Sequence, residues 1–307
     1  MTELTGARLR ARGSLGDLLR VGPTLDLMDI DPGSTPGLPK KKDPKGWARE
    51  QLTGIGAELA RHQEMLYANA KATGDRRRLL LVLQAMDCGG KDGTIKKVAG
   101  AMNPLGLHIV GFGPPTDEER AHDFLWRIRR ALPEAGQVGV FNRSHYEDVL
   151  VARVDSLVPE RTWRSRYWQI NGFERELVNG GFVIVKVMLH ISYQEQRERL
   201  LERLTDPTKH WKYNPADVDA RARWTDYQAA YNDALSKCST EYAPWHVVPA
   251  DRKWYRDWAV ANIVREALVG MDLSYPKADF DIAAERRRLK TDRATAGARG
   301  ERQVNGE

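Results

Sequence analysis

The sequence predicts an α/β three-layer sandwich, a parallel sheet with helices on both faces. Three observations predict it. Five short runs, "RLLLVLQA", "HIVGF", "QVGVFN", "GFVIVKVMLHI" and "WHVVPA", are almost continuously apolar, as strands buried on both faces are. Helical stretches lie between them, around residues 92–102, 117–131, 160–179, 192–204, 216–237 and 253–270, and this strand-helix alternation builds a parallel sheet. A tight glycine turn follows the first run directly and opens a helix, an arrangement that suits anion binding.

Taken in order, residues 1–43 carry Gly and Pro breakers ("DPGSTPGLPKKKDPKGW") and little periodicity, which predicts an irregular arm. From Gly46 to Lys71 the positions Trp47, Leu52, Ile55, Leu59, Met65 and Leu66 recur at helical spacing, so one amphipathic helix precedes the first strand. No internal repeat or interdomain linker interrupts residues 44–284, which are read as one domain. The segment "ERRRLKTDRATAGARGERQVNGE" has no apolar face, and residues 285–307 are expected to form a basic, flexible tail.

Composition narrows the function classes. The 307 residues are 41% hydrophobic, enough to fill a core without staples. Cys88 and Cys238 make neither a disulfide framework nor a zinc cluster. No run of about 18 apolar residues and no apolar signal core is present, so the expectation is a cytoplasmic protein without a membrane partner. The net charge of +6 points to anionic partners without naming them.

Four stretches carry the chemistry. The P-loop template GxxxxGK[ST] aligns with Ala85 to Asp92, so Gly90 and Lys91 fit, while Ala85 replaces the first glycine and Asp92 the Ser/Thr that holds magnesium. Backbone N–H groups of such a turn cradle phosphate oxygens, and Lys91 adds a point charge. Gly89, Gly90, Asp92, Gly93, Thr94, Lys96 and Lys97 are the candidate phosphate-binding residues there. Asp87 inside an anion-binding turn makes sense if a metal ion sits between carboxylate and phosphate, or if it accepts a proton. Cys88, with no activating base marked in the sequence, is read as a small tolerated side chain.

In the second stretch, "VGVFNRSHYEDVLVARV", a strand runs out at Phe141, so Asn142, Arg143, Glu147 and Asp148 fall near the phosphate turn. An ordinary strand-to-helix cap with surface charges has the same pattern. The third, "QRERLLERLTDPTKHWKYNPADVDARARWTDY", gathers Arg197, Arg199, Arg203, Lys209, Lys212, Arg221 and Arg223. It reads equally as a flap closing over a phosphate chain or as a solvated helix pair. In the fourth, "STEYAPWHVVPADRKWYRDW", the aromatics are assigned to core packing rather than base stacking. His145, His190, His210 and His246 show no metal-ligand spacing.

Together and in order, "QAMDCGGKDGTIKKV", "FNRSHYEDVLVARV", "DPTKHWKY" and "STEYAPWHVVPADRKWYRDW" resemble the family-2 polyphosphate kinases, P-loop kinases that use inorganic polyphosphate as phosphoryl donor. The resemblance spans roughly residues 40–276. It implies a P-loop kinase-like fold with a helical lid at about 203–237. It also implies catalytic roles for Asp87, Lys91, Arg143 and Arg203, with Lys209 and Lys212 gripping polyphosphate. Many members have Asp before that arginine, where this chain has Asn142. "FNRSHYED" with "GGKDGT" looks like the subclass that accepts both AMP and ADP, forming ADP and ATP reversibly. Asn142, Arg143 and Glu147 then belong to the nucleotide, with Asp87 and Glu147 holding Mg²⁺ or Mn²⁺. The resemblance suggests a homodimer or homotetramer and no nucleic-acid partner. The residues alone leave two rivals: an ATP-dependent nucleotide monophosphate kinase and a polyanion-binding protein without turnover.

Overall fold

The computed structural model describes residues 13–22 and 24–292. Five strands, β1 (Arg78–Ala85), β2 (Leu107–Gly111), β3 (Val138–Asn142), β4 (Phe182–His190) and β5 (Trp245–Pro249), form one sheet in the order β2-β3-β1-β4-β5. Every pairing is parallel, with Leu81 of β1 set between Val140 of β3 and Val185 of β4. The chain leaves β1 for β2 and β3 on one side and reaches β4 and β5 on the other. The carboxyl end of β1 therefore sits where the connections part, the usual place for a ligand crevice.

The helices among the described residues are α1 (Leu15–Leu19), α2 (Pro44–Thr73), α3 (Lys91–Val98), α4 (Asp117–Arg120), α5 (Trp126–Arg130), α6 (Val151–Val154), α7 (Glu160–Asn179), α8 (Tyr193–Thr205), α9 (Ala216–Ala222), α10 (Trp224–Cys238), α11 (Lys253–Val269) and α12 (Ile282–Thr291). Strand alternation sorts them into two layers. Leu79, Leu81 and Leu83 of β1 join a core with α2 and α11, while Leu80 and Val82 join one with α7 and α10. Helix α2 starts on the Asp43 cap with Pro44 in its first turn and ends at Gly74, whose φ of 71° suits a glycine stop. Its Ala48, Ile55, Leu59 and Leu66 are buried against the core.

Two expected helices are broken in the structure. The stretch 117–131 divides into α4 and α5, because Asp123 Oδ1 accepts a hydrogen bond from Leu125 N at 3.0 Å and turns the chain locally. The stretch 216–237 divides at Arg223, where φ is −100° and ψ 27°. The expected ends also change. The arm contains α1, and Leu19, Val21 and Leu27 sink into the core, with Arg20 bridging His246. The segment expected to be a tail from 285 begins as the helix α12, capped by Asp281 and without a buried residue. Residues 1–12 of the arm and 293–307 of the tail lie outside the described residues. Among the described residues no helix is long and apolar enough to cross a membrane.

A buried polar knot ties the sheet to the layer of α7 and α10. Lys186 of β4 is fully buried and donates to Glu174 Oε2 at 2.5 Å, to Tyr146 Oη at 2.8 Å and to the Cys238 carbonyl at 2.7 Å. Glu174 Oε1 accepts from Tyr146 Oη at 2.9 Å, and His145 Nε2 lies 3.3 Å away. Burial alone would raise the Glu174 carboxyl, but Lys186 and His145 outweigh it and hold the group below its ordinary range. The stability that this pair adds is present at neutral pH and is lost as pH falls through the lowered value. Lys186→Met should cost about 3–5 kcal/mol in chemical denaturation, because it strands the Glu174 charge. Adding Glu174→Leu should recover most of that loss, since the pair is then removed together.

Candidate active site

β1 ends at Ala85, and residues 86–90 turn the chain into α3. Two positions in the turn are left-handed, Cys88 at φ 62° and Gly90 at φ 101°. Gly90 is required twice over. A Cβ there would stand 1.8 Å from Nη1 of Arg256, a buried side chain fixed by Asp257 Oδ1 at 2.9 and 2.7 Å. Gly89 is packed from below, since a Cβ would meet the Ala85 Cβ at 2.5 Å. The first N–H groups of α3 have no acceptor within the helix and are available to an anion.

Lys91 opens α3 and is buried, its Nζ donating to the Ala85 carbonyl at 3.0 Å. Burial lowers the affinity of its amine for a proton, while Asp87 opposes that shift. Arg143, just past β3, also takes a left-handed backbone, φ 64°, and its Nη2 meets Asp87 Oδ1 at 3.0 Å. Its Nη1 lies 3.9 Å from Glu147 Oε2. Burial works against the guanidinium charge, yet Glu147 and Asp87 hold Arg143 above its ordinary value. Glu147 is pushed up by burial, with Arg143 and Lys91 pulling the other way.

Asp87, Lys91 and Arg143 line a cleft of about 500 Å³, together with residues of the segment after β4. Arg203 of α8 donates to the Lys212 carbonyl at 2.8 Å and to Asp217 Oδ2 at 3.2 Å. Lys209 pairs with Glu202 at 2.7 Å and with Asp206 at 2.9 Å; Lys253, at the start of α11, reaches Glu202 at 3.4 Å. Asp92 accepts from Asn142 Nδ2 at 2.9 Å and pairs with Lys212 at 3.4 Å. Burial, then the charge of Asp87, pushes the Asp217 carboxyl up. Cys88 lines the cleft as an inert group, its thiol raised to about 11 by burial.

Of the residues expected from sequence, Asp87, Gly90, Lys91, Asp92, Gly93, Asn142, Arg143, Arg203, Lys209 and Lys212 line this cleft. Five expected residues do not. Gly89 lies beneath the turn, and Thr94 is buried 3.5 Å from Asp257. Lys96 and Lys97 are exposed outside the cleft, and Glu147 stands behind Arg143. Asp148 is turned away to Arg166 at 3.1 Å and Arg127 at 3.9 Å. Within the basic stretch, Arg199 is buried and donates to the carbonyls of Cys88, Ala250 and Asp251, and Arg221 donates to Tyr193 and Gln196. These two bind the frame rather than form a track. The lid expected over 203–237 also divides. Helix α10 belongs to the body, with Ala230, Tyr231, Ala234 and Leu235 in the core, and α9 is tied to α8 through Arg221, so the part of the expected lid without a buried residue is the turn Pro207–Lys212.

Sequence reasoning missed Glu202, Asn214, Asp217 and the cleft position of Lys253. The charge pattern around Arg203 held the signal for the acids, but their partners are set by the fold.

Comparison with known proteins gives concordant results. Residues 47–276 match the family described as Polyphosphate kinase 2. The chain is 46% identical over 252 residues to a Meiothermus ruber protein named AMP/ADP-polyphosphate phosphotransferase, covering 82% of this chain and 91% of that one. It is 41% identical over 255 residues to a Rhodopseudomonas palustris protein named ADP-polyphosphate phosphotransferase, covering 78% and 86% respectively. The crystal structure of Polyphosphate Kinase 2 from Arthrobacter aurescens TC1 superimposes with a TM-score of 0.88 at 50% identity, covering 91% of this chain and 97% of that one.

Gly90→Ala should lower stability by about 1–3 kcal/mol, the cost of a strained left-handed residue pressed on a fixed guanidinium. It should also weaken binding of tripolyphosphate in a titration. Gly100→Ala, where a Cβ meets open space, is the matched control and should change neither quantity.

Proposed function

The chain belongs to the polyphosphate kinase 2 family, and on that premise we propose that it carries the terminal phosphoryl group of polyphosphate to both AMP and ADP. It is a phosphotransferase acting between polyphosphate and nucleotides. The products are ADP and ATP, and the reaction is reversible. The two acceptors follow from the similarity to the Meiothermus ruber enzyme and from "FNRSHYED".

One observation carries this reading. Seven cationic side chains, Lys91, Arg143, Arg199, Arg203, Lys209, Lys212 and Lys253, line one cleft with four carboxylates, Asp87, Asp92, Glu202 and Asp217. Arg199 is spent on carbonyls, and the other six would face a polyanion in exchange for the carboxylates and carbonyls that now hold them. A nucleotide triphosphate at a single Ser/Thr-held metal does not call for so long a basic wall, whereas a chain of phosphates does.

Phosphoryl transfer is mostly positioning and charge stabilisation. Lys91 and Arg143 flank the turn and would hold the transferring group from two sides. The N–H groups opening α3 would take the oxygens of the adjoining donor phosphate. Lys209 and Lys212 come from the turn Pro207–Lys212 and Arg203 from the end of α8 beside it, and donor phosphates would compete with Asp217, Glu202 and Asp92 for them. Closure would then exclude water from the reacting group.

The residues fit a divalent ion that arrives on the donor rather than one caged by protein. Among the described residues no cluster of three His, Cys, Asp or Glu groups is preassembled. Mg²⁺ commonly takes one or two carboxylates plus substrate phosphates. Asp87, which lines the cleft, would supply the carboxylate, with Mn²⁺ able to replace Mg²⁺, while Glu147, set behind Arg143, would hold that arginine rather than the ion. The ion would add neutralisation of charge on the transferred group.

The test is a donor exchange. Purified protein with Mg²⁺ receives long-chain polyphosphate or ATP as donor, and AMP or ADP as acceptor. Polyphosphate should convert AMP to ADP and then ATP, and ADP to ATP. Phosphorylation of AMP by ATP alone would make the protein a nucleotide monophosphate kinase. Retention of polyphosphate with no nucleotide product would make it a polyanion-binding protein.

A further inference from the structure

The cations of the cleft are nearly all engaged by carboxylates or carbonyls, but a second group of cations on the neighbouring surface is not. Lys96 and Lys97 are exposed on α3. They lie four residues beyond the cleft-lining Asp92 and Gly93, so each sits one helical turn, about 5.4 Å, further along the same face. Lys97 is near enough to Asp257 of α11 to act on its carboxyl. The next residue, Trp258, packs on Trp47 of α2 with ring centroids 5.8 Å apart, and the Lys41 ammonium covers Trp47 at 5.6 Å. The start of α2 and the segment before it therefore pack on α11 at the residue next to the one that Lys97 acts on.

That segment reads "KKKDPK". Lys40, Lys42 and Lys45 are exposed, and none of them, nor Lys96 or Lys97, reaches a carboxylate within ion-pairing distance among the described residues. The acids closest in sequence are occupied or outnumbered. Asp43 caps α2 by accepting from Gly46 N at 2.9 Å, and Asp257 is held by Arg256. A protein surface that leaves several neighbouring ammonium groups unpaired holds a local positive potential, which a flexible polyanion can neutralise with release of its counterions.

We infer that the lysines of α3 and of the segment leading into α2 form an external track that binds the distal part of a long polyphosphate chain whose end lies in the cleft. The inference rests on the proposed polyphosphate-dependent reaction. Inorganic polyphosphate fits this surface better than single-stranded nucleic acid does. Nucleic acid would need aromatic faces open to stacking, and here Trp47 and Trp258 are turned to each other, with Trp258 buried and Trp47 covered by Lys41. One end of the track, Lys96 and Lys97, adjoins the cleft-lining Asp92 and Gly93, so a chain that leaves the cleft there would meet it. Its consequence is a preference for long donors, since tripolyphosphate fills the cleft alone.

The experiment compares the parent with Lys40→Glu/Lys42→Glu/Lys45→Glu, a variant whose changes lie on exposed positions at the acid-tolerant start of a helix. Kinetics with ADP are measured on tripolyphosphate and on chains of several hundred phosphates, at low salt and at about 0.5 M NaCl, where charges beyond a few ångströms are screened. Direct binding of both donors is followed by titration. The long-chain KM should rise roughly five- to tenfold at low salt, a change that high salt abolishes, with kcat and the tripolyphosphate KM unchanged. Lys96→Glu/Lys97→Glu should raise the long-chain KM in the same direction. An unchanged long-chain KM and affinity, or an equal rise for both donors, would overturn the track. So would a surface whose loss weakens single-stranded RNA binding but leaves polyphosphate binding intact. If the parent turns over no polyphosphate while the variant still loses long-chain binding, the track stands and the proposed reaction falls.

Discussion

A lysine ammonium buried in a glycine turn is the constraint around which this molecule is arranged. Lys91 is buried at the carboxyl end of β1, and one carbonyl, that of Ala85, accepts its hydrogen bond. A buried cation is costly unless its charge is answered. Asp87 and Glu147 answer it electrostatically, and Arg143 is drawn in by the same two carboxylates. Arg256 beneath the turn leaves room for nothing larger than glycine at position 90. In the proposed reaction an arriving phosphate would meet two cations already set in place, so little reorganisation would be needed at the moment of transfer.

The frame around this centre is built from buried polar ties rather than apolar packing alone. Arg199 pins α8 to the turn through Cys88 and to the end of β5 through Ala250 and Asp251. Gln196 Nε2 donates to the Asp87 carbonyl at 3.0 Å, so the same helix steadies the residue assigned to the metal. On the other side, the Lys186 and Glu174 pair holds Tyr146 and His145, which fixes the short turn carrying Glu147. Against these rigid parts, the turn Pro207–Lys212 is joined to the cleft by partly exposed ion pairs such as Lys212 with Asp92. Such pairs are individually weak and easily exchanged for phosphate.

The sheet was legible in the sequence because short apolar runs alternate with helical stretches; four of the runs are largely buried strands, whereas β2, at the sheet edge, has no buried residue and leaves Ile109 half exposed. The glycine turn, Lys91 and Arg143 were legible because strand ends and their following residues must meet at one edge of a parallel sheet. The metal reading of Asp87 came from a carboxylate standing inside an anion-binding turn, whereas the role proposed for Arg203 came from family resemblance alone. What stayed hidden depends on contacts between distant residues. Glu202 and Lys253 are 51 positions apart, and no local pattern reports that pairing. The break at Asp123 and the seating of Leu19 and Leu27 likewise follow from a side-chain turn and from tertiary burial that override local periodicity. Lys96 and Lys97 were placed on the phosphate turn by sequence proximity, whereas the helix carries them a turn beyond it.

The most direct test of the central claim is the turnover of Lys91→Met with polyphosphate and ADP, read beside its thermal unfolding. Methionine keeps the buried stem and removes only the charge. The account predicts that kcat falls by roughly 10² to 10³ or more, while the variant still folds and unfolds cooperatively, because Arg143 remains to answer Asp87 and Glu147. Near-parental turnover in a variant of unchanged stability would contradict it.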